Sequence, residues 1–392
     1  MPRLLILSHV ELTRDPRARR QATAAAAHGF DVTGICPAAA DAAPLPLAGT
    51  YVLRIRAETV APRLRRAGLG GIRTQPDKRL VRELRGLFRL WRFARTNLTL
   101  ARLARAAGRF DVVLANEVET LPAGWWTARR SNARLVYDAH EIYASSEPDQ
   151  PRLHRALLAW VERTLARRAD AVSTVSDPIA DELRLQLGLR ERPITILNVP
   201  ASVDLPSPEA HDGPLRVVYQ GAMGPGRPLS DLLDAAGAAD GVRVTIRVAN
   251  ADLDAVRADV ANRGLGDVVE VVEPVEPTEL VDALAGEDVG VIINRPSSRN
   301  DELVFPNKLF EYMMAGLAIA APRLPGLAPL VDGEGVGVTF EPGDPLALGA
   351  RLTELATDRE RLLAMRRRAR ELAVERFNAE TEAVRLVRVL GA

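Results

Sequence analysis

The feature that most constrains the fold is an alternation of short apolar segments with longer helical patterns. In the first half of the chain, seven apolar segments are predicted strands: residues 3–8, 31–36, 51–55, 111–115, 134–139, 171–175 and 194–197. Helical patterns occupy many of the intervals, among them residues 18–29, 78–107 and 152–168. This alternation predicts βαβ units and a parallel sheet.

The alternation pauses at NVPASVDLPSPEAHDGP (198–214), a segment that contains several proline and acidic residues, and then restarts. Six more strands are predicted at residues 215–220, 242–248, 268–272, 289–293, 317–321 and 336–340. The sequence therefore predicts an α/β chain of two doubly wound, Rossmann-like domains that face a central cleft. Ligands of such sheets bind beyond the carboxyl ends of the strands, so the loops that follow strands are the candidate sites.

Composition limits the classes of protein to consider. The length of 392 residues suits two domains, and Cys36 is the only cysteine, which excludes an internal disulfide and a cysteine-based metal site. No apolar run approaches the ~20 residues that span a bilayer, and residues 1–20 do not resemble a signal peptide, so we expect a cytoplasmic protein. Residues 1–200 carry 32 basic and 20 acidic residues, against 20 and 31 in the remainder, which indicates different partners for the two halves.

The basic excess is greatest around the helical pattern at residues 77–110. Leu80, Leu84, Leu87, Trp91 and Ala94 fall on one side of this helix, and Arg82, Arg85, Arg89 and Arg92 fall elsewhere. A basic amphipathic helix can lie on an anionic membrane surface, although a helix packed in its domain with a solvated basic face fits equally well. We expect no nucleic-acid partner, because the second half is acidic and contains no recognisable binding module.

The first loop of the second half, YQGAMGPGRPLSDLL (219–233), has the composition of a phosphate-binding turn. Gly221, Gly224 and Gly226 would let the backbone approach a ligand, and the helix predicted to begin near Pro228 would favour an anion at its start. Arg227 adds a permanent positive charge. The loop matches neither GxGxxG nor a P-loop, and an ordinary strand-to-helix turn remains the alternative.

The segment FPNKLFEYMMAGLAIAAP (305–322) predicts a short helix at about 308–315 that carries opposite charges at its start. Asn307 is the predicted N-cap, Gly316 the stop, and Glu311 shares a face with Asn307. Lys308 opposes the helix dipole, and it is one of only two lysines among 52 basic residues. A compact cation aimed at a diphosphate would explain it, and a carboxylate at Glu311 could hold ribose hydroxyls.

The first half lacks a glycine-rich first loop, which argues against a bound dinucleotide there. Its loop instead carries charged residues, namely Asp15, Arg17, Arg19 and Arg20. The segment VYDAHEIY (136–143) places Asp138, His140 and Glu141 at a strand's carboxyl end, where functional groups collect. Because Ala144 stands where HExxH needs its second histidine, no metal site is predicted.

These segments resemble the family 4 retaining glycosyltransferases of the GT-B fold over nearly the whole chain. The most specific are YQGAMGPGRPLSDLLDAA and FPNKLFEYMMAGLAIAAPRLPGL, which resemble the family's donor-binding motifs. YDAHE and ADAVSTVSDPIADEL resemble its N-domain cleft segments. The resemblance implies an acceptor-binding domain at 1–200, a donor-binding domain at 201–375, and a tail helix at 376–392 that crosses back to the first domain.

The resemblance also implies roles for single residues. Glu311 matches the residue that holds the donor ribose, Arg227 and Lys308 match those that hold the diphosphate, and His140 matches the histidine near the transferred sugar. The resemblance also implies donor contacts at Gly221, Ala222, Gly224 and Asn307. It implies acceptor contacts at Asp15, Arg17 and Asp138.

Three positions depart from the family pattern. Leu303 stands where many members have the first of two glutamates, and Asp301 and Glu302 are the possible substitutes. Leu232 replaces a second basic residue, whose place Lys308 or Arg295 could take. The expected glycine-containing loop after the second strand of this half reads VANAD (248–252), which indicates unusual base recognition.

The expected reaction is transfer of a sugar from a nucleoside diphosphate sugar to a hydroxyl of the acceptor, with retention of the anomeric configuration. The expected acceptor is a glycan, a lipid-linked molecule or another glycoconjugate. No metal or other cofactor is expected. The expected location is the cytoplasm, at the membrane's inner face if the basic helix binds lipid. The sequence-based hypothesis is that the departing phosphate takes the acceptor's proton and His140 orients the sugar. Two alternatives stay open: a nucleotide-sugar epimerase of the same fold, and a non-catalytic nucleotide-sugar-binding scaffold.

Overall fold

The computed structural model describes residues 1–12, 15–38, 50–56, 78–143, 151–224 and 226–391. Within these ranges, the side chains of residues 38, 50–56 and 78–85 are not described. The chain divides into two compact units, residues 1–196 with 383–392 and residues 197–382.

The N-terminal unit contains a parallel sheet of seven strands in the order β3-β2-β1-β4-β5-β6-β7. The strands are β1 (Arg3–Leu7), β2 (Asp31–Ala38), β3 (Thr50–Arg56), β4 (Val112–Asn116), β5 (Arg134–Ala139), β6 (Ala171–Thr174) and β7 (Ile194–Thr195). The described helices are α1 (Pro16–Ala27), α2 (Lys78–Ala107), α3 (Leu121–Ser131), α4 (Arg152–Ala166) and α5 (Asp177–Leu187).

The C-terminal unit contains a parallel sheet of six strands in the order β10-β9-β8-β11-β12-β13. The strands are β8 (Leu215–Gly221), β9 (Val242–Val248), β10 (Val269–Val272), β11 (Val289–Val291), β12 (Ala318–Pro322) and β13 (Gly337–Phe340). The helices before β13 are α6 (Leu229–Ala238), α7 (Leu253–Asn262), α8 (Leu280–Leu284), α9 (Arg299–Leu303), α10 (Asn307–Met314) and α11 (Ala328–Val331). Those after it are α12 (Pro345–Thr357), α13 (Arg359–Glu375) and α14 (Ala379–Leu390), the last of which ends in the N-terminal unit.

All thirteen predicted strands are present, and each sheet is parallel as predicted. The strands can be recognised in the sequence because a strand that is buried on both faces is a nearly continuous run of apolar residues. Both faces of the second sheet are covered: Val217 and Tyr219 pack into one apolar cluster with α6 and α12, and Val218 packs into another with α10 and α13. Two doubly wound sheets in one chain are the architecture of the GT-B fold.

The last helix packs its apolar side in the N-terminal unit. Leu386, Val389 and Leu390 are buried there with Leu4 and Val136, residues of β1 and β5. Arg134 also donates to the carbonyl oxygen of Val389 at 3.1 Å. No helix among the described residues is both long enough and apolar enough to cross a bilayer.

Candidate functional site

The glycine-containing loop after β8 is fastened to its neighbours by hydrogen bonds. Asn250 Oδ1 accepts from the Met223 amide at 2.8 Å, and Asn250 Nδ2 donates to the Met223 carbonyl at 3.1 Å. The Arg227 amide donates to the Gly224 carbonyl, also at 2.8 Å. The backbone amides of Met223 and Arg227, both in the loop predicted to bind phosphate, therefore already donate hydrogen bonds within the protein. Asn250 belongs to VANAD, so the departure from the family pattern serves to hold this loop.

Helix α10 begins one residue earlier than predicted. Pro306 occupies the N-cap position and Asn307 is the first helical residue, so the prediction of Asn307 as N-cap is wrong. The Asn307 side chain instead accepts from Asn198 Nδ2 at 2.8 Å. Gly316 ends the helix in a left-handed conformation (φ +76°), as predicted, and its amide donates to the Met313 carbonyl.

Lys308 lies beside the glycine loop in a buried position. It is only 6% exposed, and its Nζ lies 4.0 Å from the centroid of the Tyr219 ring. A side chain at Gly221 would place its Cβ 2.9 Å from this nitrogen, and the backbone there has φ +133°, so both the space and the conformation suit glycine. Sequence reasoning named both residues, and the structure brings them together.

The Lys308 ammonium has no hydrogen-bond partner among the described residues. Burial and the nearby Arg227 charge together lower the pKa of Lys308 to about 7. Arg227 itself is exposed and makes no ion pair with any described residue. The Glu311 carboxylate one turn away opposes this lowering of the Lys308 pKa, but neither cation forms an ion pair with a described residue, so the two together favour a multiply charged anion.

Glu311 stands one helical turn after Lys308 and is held by its neighbour. Gln220 Nε2 donates to Glu311 Oε2 at 2.6 Å, and the Gln220 amide donates to the Tyr312 hydroxyl at 2.9 Å. The end of β8 and the start of α10 thus fix each other through Gln220. Sequence reasoning missed Gln220, although its place at the carboxyl end of a strand was a signal.

Two further polar groups of the same unit have buried atoms without a partner among the described residues: Arg247 Nε and Asn294 Oδ1. Arg247 is paired in register with Gln220 on the adjacent strand, and Asn294 follows β11. The possible substitute cation Arg295 is already paired, since its guanidinium donates to both Asp231 oxygens at 2.7 and 2.8 Å. Of the two candidates for the place of the cation missing at Leu232, Arg295 is engaged with Asp231 and Lys308 makes no hydrogen bond to a described residue.

In the N-terminal unit, Asp138 is fully buried and saturated with donors. Arg17 binds both its oxygens at 2.7 Å, and Gln21 and Ser173 donate at 2.6 and 2.7 Å. Although burial opposes ionisation, the charges and hydrogen bonds of Arg17 and His140 keep the pKa of Asp138 well below its ordinary value. Direct acceptor contacts by Asp138 or Arg17 would require this network to open, and Asp138 also contacts the neighbouring His140.

That histidine, His140, uses both ring nitrogens within the protein. Nδ1 lies 2.8 Å from Glu117 Oε1, and Nε2 lies 3.1 Å from Asp138 Oδ2. Burial opposes its charge, but these two carboxylates raise the pKa of His140 to about 9. The ring is therefore an imidazolium near neutral pH, a fixed positive charge rather than a proton acceptor.

Asp15, the third predicted acceptor contact, caps helix α1. Its Oδ1 accepts from the amides of Arg17 and Ala18 at 2.9 and 3.3 Å. The cap satisfies two of the free amides at the helix start. Asp15 thus orients the first turn of α1, from which Arg17 reaches Asp138.

Glu117 and His9 form a contact that sequence reasoning missed. His9 Nδ1 lies 2.5 Å from Glu117 Oε2, so Glu117 bridges His9 and His140. His9, Glu117 and Glu119 place donor atoms within 4.8 Å of one another, a group that could attract a cation.

Two family models match the chain. The glycosyl transferase 4-like domain matches residues 15–200, and the glycosyl transferases group 1 domain matches residues 215–358. The chain belongs to the glycosyltransferases that carry these two domains. A comparison with curated protein sequences found no match.

Solved structures similar to this glycosyltransferase share its fold at low sequence identity. Sucrose-phosphate synthase from Thermosynechococcus elongatus has a TM-score of 0.71 and 16% identity, with 99% of this chain and 98% of that chain covered. HepE from Anabaena, solved in complex with UDP, has a TM-score of 0.70 and 16% identity over 100% and 99% of the two chains. A glycosyltransferase from Rickettsia africae has a TM-score of 0.70 and 10% identity over 99% and 97%.

Proposed function

We propose that this glycosyltransferase moves a hexosyl unit from a UDP-sugar to an acceptor hydroxyl with retention of anomeric configuration. The observation that carries the proposal is the buried Lys308 ammonium, which has no hydrogen-bond partner among the described residues and lies close enough to Arg227 to feel its charge. UDP is the proposed nucleotide because HepE has been solved with UDP and with UDP-glucose. The proposed acceptor is a lipid-linked or polysaccharide precursor.

The donor contacts follow from the geometry around α10. Arg227 and Lys308 bind the diphosphate, Glu311 binds the ribose hydroxyls, and Asn307 lies at the positive end of the helix. The backbone at Gly221, Ala222 and Gly224 passes beside the phosphates. The two cations meet the charge that develops on the leaving diphosphate, worth about 2–4 kcal/mol for each contact, so the reaction needs no resident metal.

The N-terminal unit is the proposed acceptor side. In this proposal His140 supplies a fixed positive charge on the acceptor side. Asp15, Arg17 and Asp138 support this position through the buried network.

A membrane surface is the proposed location of the enzyme. On α2, Leu87 and Trp91 are 54% and 51% exposed and lie on one face with Ala94, and on α4 Trp160 is 64% exposed. Exposed arginines accompany them, namely Arg89, Arg92, Arg95, Arg102 and Arg105. The side chains of Leu80, Leu84, Arg82 and Arg85 lie outside those described. Exposed aromatic side chains with basic neighbours suit an anionic bilayer.

Sedimentation with liposomes tests this location. Trp91→Ser and Trp160→Ser together should reduce binding to vesicles that contain anionic lipid, and high salt should reduce wild-type binding. Leu346→Ser is the matched control, since Leu346 is exposed in the C-terminal unit. Binding that ignores anionic lipid, salt and both tryptophans would contradict the proposal.

Turnover with UDP-sugars tests the reaction. The wild type should release UDP from UDP-glucose or a related UDP-hexose, and Arg227→Ala should slow release by about 30- to 1,000-fold, the equivalent of one lost electrostatic contact. Proton NMR of the product reports the anomeric configuration. Inverted product would contradict retention, and interconversion of donor sugars without any acceptor would indicate an epimerase.

A further inference from the structure

The side-chain nitrogen of Lys308 occupies a buried position against the ring of Tyr219. The side chain is 6% exposed, and Nζ has no hydrogen-bond partner among the described residues. Nζ lies 4.0 Å from the ring centroid, and the Tyr219 hydroxyl donates to the Ala222 carbonyl at 3.2 Å. A Cβ at Gly221 would stand 2.9 Å from Nζ, so the nitrogen lies close to the loop backbone. Packing thus holds Nζ in one place, without hydrogen bonds to the described residues.

Two charged neighbours and burial make this nitrogen reactive. Burial and the Arg227 charge lower the pKa of Lys308 to about 7, and the Glu311 charge opposes them. Near neutral pH the side chain is therefore a mixture of ammonium and neutral amine in comparable amounts. A neutral amine has a free electron pair and is a nucleophile, whereas an ordinary exposed lysine is almost wholly protonated at this pH.

Arg227 would stabilise an anion formed at this nitrogen. Its guanidinium is exposed and makes no ion pair with a described residue, and its charge reaches Lys308. The guanidinium fork suits a carboxylate, so a carboxylate on Nζ would turn repulsion between two cations into attraction. Glu311 would oppose the new anion, but one of its oxygens already accepts from Gln220 Nε2 at 2.6 Å.

We propose that carbon dioxide adds reversibly to Lys308 Nζ as a carbamate, and that the carbamate excludes a nucleoside diphosphate from this site; the exclusion rests on the proposed function. The nitrogen electron pair forms a bond to the carbon of carbon dioxide. One carbon–oxygen π bond breaks, its electrons move to oxygen, and one proton leaves the nitrogen for solvent. Nothing is oxidised or reduced.

The two ligands use the same nitrogen in opposite forms. A diphosphate favours the ammonium, whereas carbon dioxide reacts with the neutral amine and leaves a negative group in its place. A carbamate therefore removes one of the two positive charges offered to a diphosphate and adds a negative charge that repels it.

The chain offers few competing amines. Lys78, the first residue of α2, is the other lysine, and the amino terminus supplies the third amine. The guanidinium groups of the arginines stay protonated and do not form carbamates. Peptides that contain Lys308, Lys78 or the amino terminus therefore distinguish the possible positions of a carbamate.

The first experiment locates the carbamate. Wild-type protein is equilibrated with ¹³C-labelled carbon dioxide and bicarbonate, treated with triethyloxonium ion to convert carbamates to stable esters, and digested for mass spectrometry. The label should appear on the Lys308 peptide, and saturating UDP should remove it. At a fixed concentration of dissolved carbon dioxide, the labelled fraction should rise as the pH increases through 7, because the neutral amine reacts. Lys308→Arg should lose this label, and the matched control Lys78→Arg should keep it.

The second experiment measures the exclusion by calorimetric titration with UDP. In the wild type, the apparent Kd should rise as the reciprocal of the unmodified fraction, about twofold when half of the protein carries the carbamate. Lys308→Arg keeps a positive charge and forms no carbamate, so its affinity should be the same in bicarbonate as in chloride of equal ionic strength. A bicarbonate effect of equal size in both proteins would indicate an ion that competes at Arg227 and would overturn the exclusion.

The outcomes separate this inference from the proposed function. Absence of label on the Lys308 peptide overturns the inference, whether or not UDP binds. Label on Lys308 in a protein that binds no nucleotide upholds the carbamate and overturns the proposed function together with the exclusion. If Lys308→Arg does not fold, the wild type decides, because a Lys308 label that saturating UDP leaves unchanged overturns the exclusion.

Discussion

The ring of Tyr312 lies against the backbone of Gly290 so closely that no side chain fits between them. A Cβ at Gly290 would stand 2.3 Å from two ring carbons of Tyr312, which is itself fully buried. Gly290 belongs to β11, and Tyr312 belongs to α10, the helix that carries Lys308 and Glu311. The depth at which this helix packs on the sheet therefore sets the position of the proposed donor contacts.

Gly290→Ala should displace α10 from the sheet. Overpacking a well-filled core costs about 1–3 kcal/mol, and we expect the upper end of this range because neither the strand nor the buried ring can easily move. UDP affinity should fall together with the unfolding midpoint, measured by calorimetry and thermal denaturation. Gly237→Ala is the matched control, since its Cβ would meet Leu265 at an ordinary 3.5 Å. Equal tolerance of both substitutions would contradict the packing argument.

Lys308→Met should stabilise the ligand-free protein while weakening nucleotide binding. The folded state holds an ammonium that is buried without a hydrogen-bond partner among the described residues, and methionine keeps about the same length without the charge. We expect a gain on the order of 1–3 kcal/mol at pH 7, seen as a higher unfolding midpoint. A lower midpoint together with unchanged UDP affinity would indicate that Lys308 is a structural residue.

UDP binding should take up a proton above pH 7. The pKa of Lys308 is about 7 in the free protein, and a bound diphosphate favours the charged form, so binding at pH 8 draws a proton from the buffer. The apparent binding enthalpy should therefore differ between phosphate and Tris buffers, and affinity should fall from pH 7 to 9. Lys308→Arg, charged throughout this range, should abolish proton uptake at this site. Equal enthalpies in both buffers for the wild type would contradict this coupling.

The pH dependence of stability should contain a contribution from Glu162 in the N-terminal unit. Burial raises the pKa of Glu162 to about 7 in the folded state from 4.5 for the unfolded chain, so the folded state binds more protons between these values. The contribution of Glu162 to the free energy of unfolding is therefore greatest below pH 4.5 and is lost as the pH rises through 7. Glu162→Gln, which can still accept from the Tyr137 hydroxyl, should unfold at a higher temperature than wild type at pH 8 and show little difference at pH 5. The exposed Glu191→Gln is the control; an equal effect of both variants would exclude burial as the cause.

The strands and the residues of α10 could be predicted because their signals are local. Apolar runs bounded by turn residues mark buried strands, and a lysine at a helix start stands out in an arginine-rich chain. Gly221 and Lys308 were both named, although only the fold shows that they meet. Local signals therefore identified the residues and their positions on a strand or helix, but not the contacts between them.

Contacts between distant segments could not be predicted. Three contacts join residues that are tens of positions apart or more in the sequence. They are the ion pair of Arg295 with Asp231, the hydrogen bonds of Asn250 with the Met223 backbone, and the contact of Glu117 with His9. The start of α10 was predicted one residue too late. Pro306 has the extended backbone of an N-cap residue, so it takes the N-cap position that was predicted for Asn307. Polar residues within two positions of the ends of β1 and β4 were the signal that could have led to His9 and Glu117.

The central claim is that the end of β8 and the start of α10 form a nucleotide diphosphate site, and calorimetric titration with UDP tests it most directly. GDP, ADP and dTDP serve as competitors, and Lys308→Met and Glu311→Gln serve as variants. We predict saturable binding of UDP by the wild type, weakened at least tenfold in each variant while the fold is retained. Absence of binding by any of the four nucleotides, or binding that both variants retain in full, would contradict the claim.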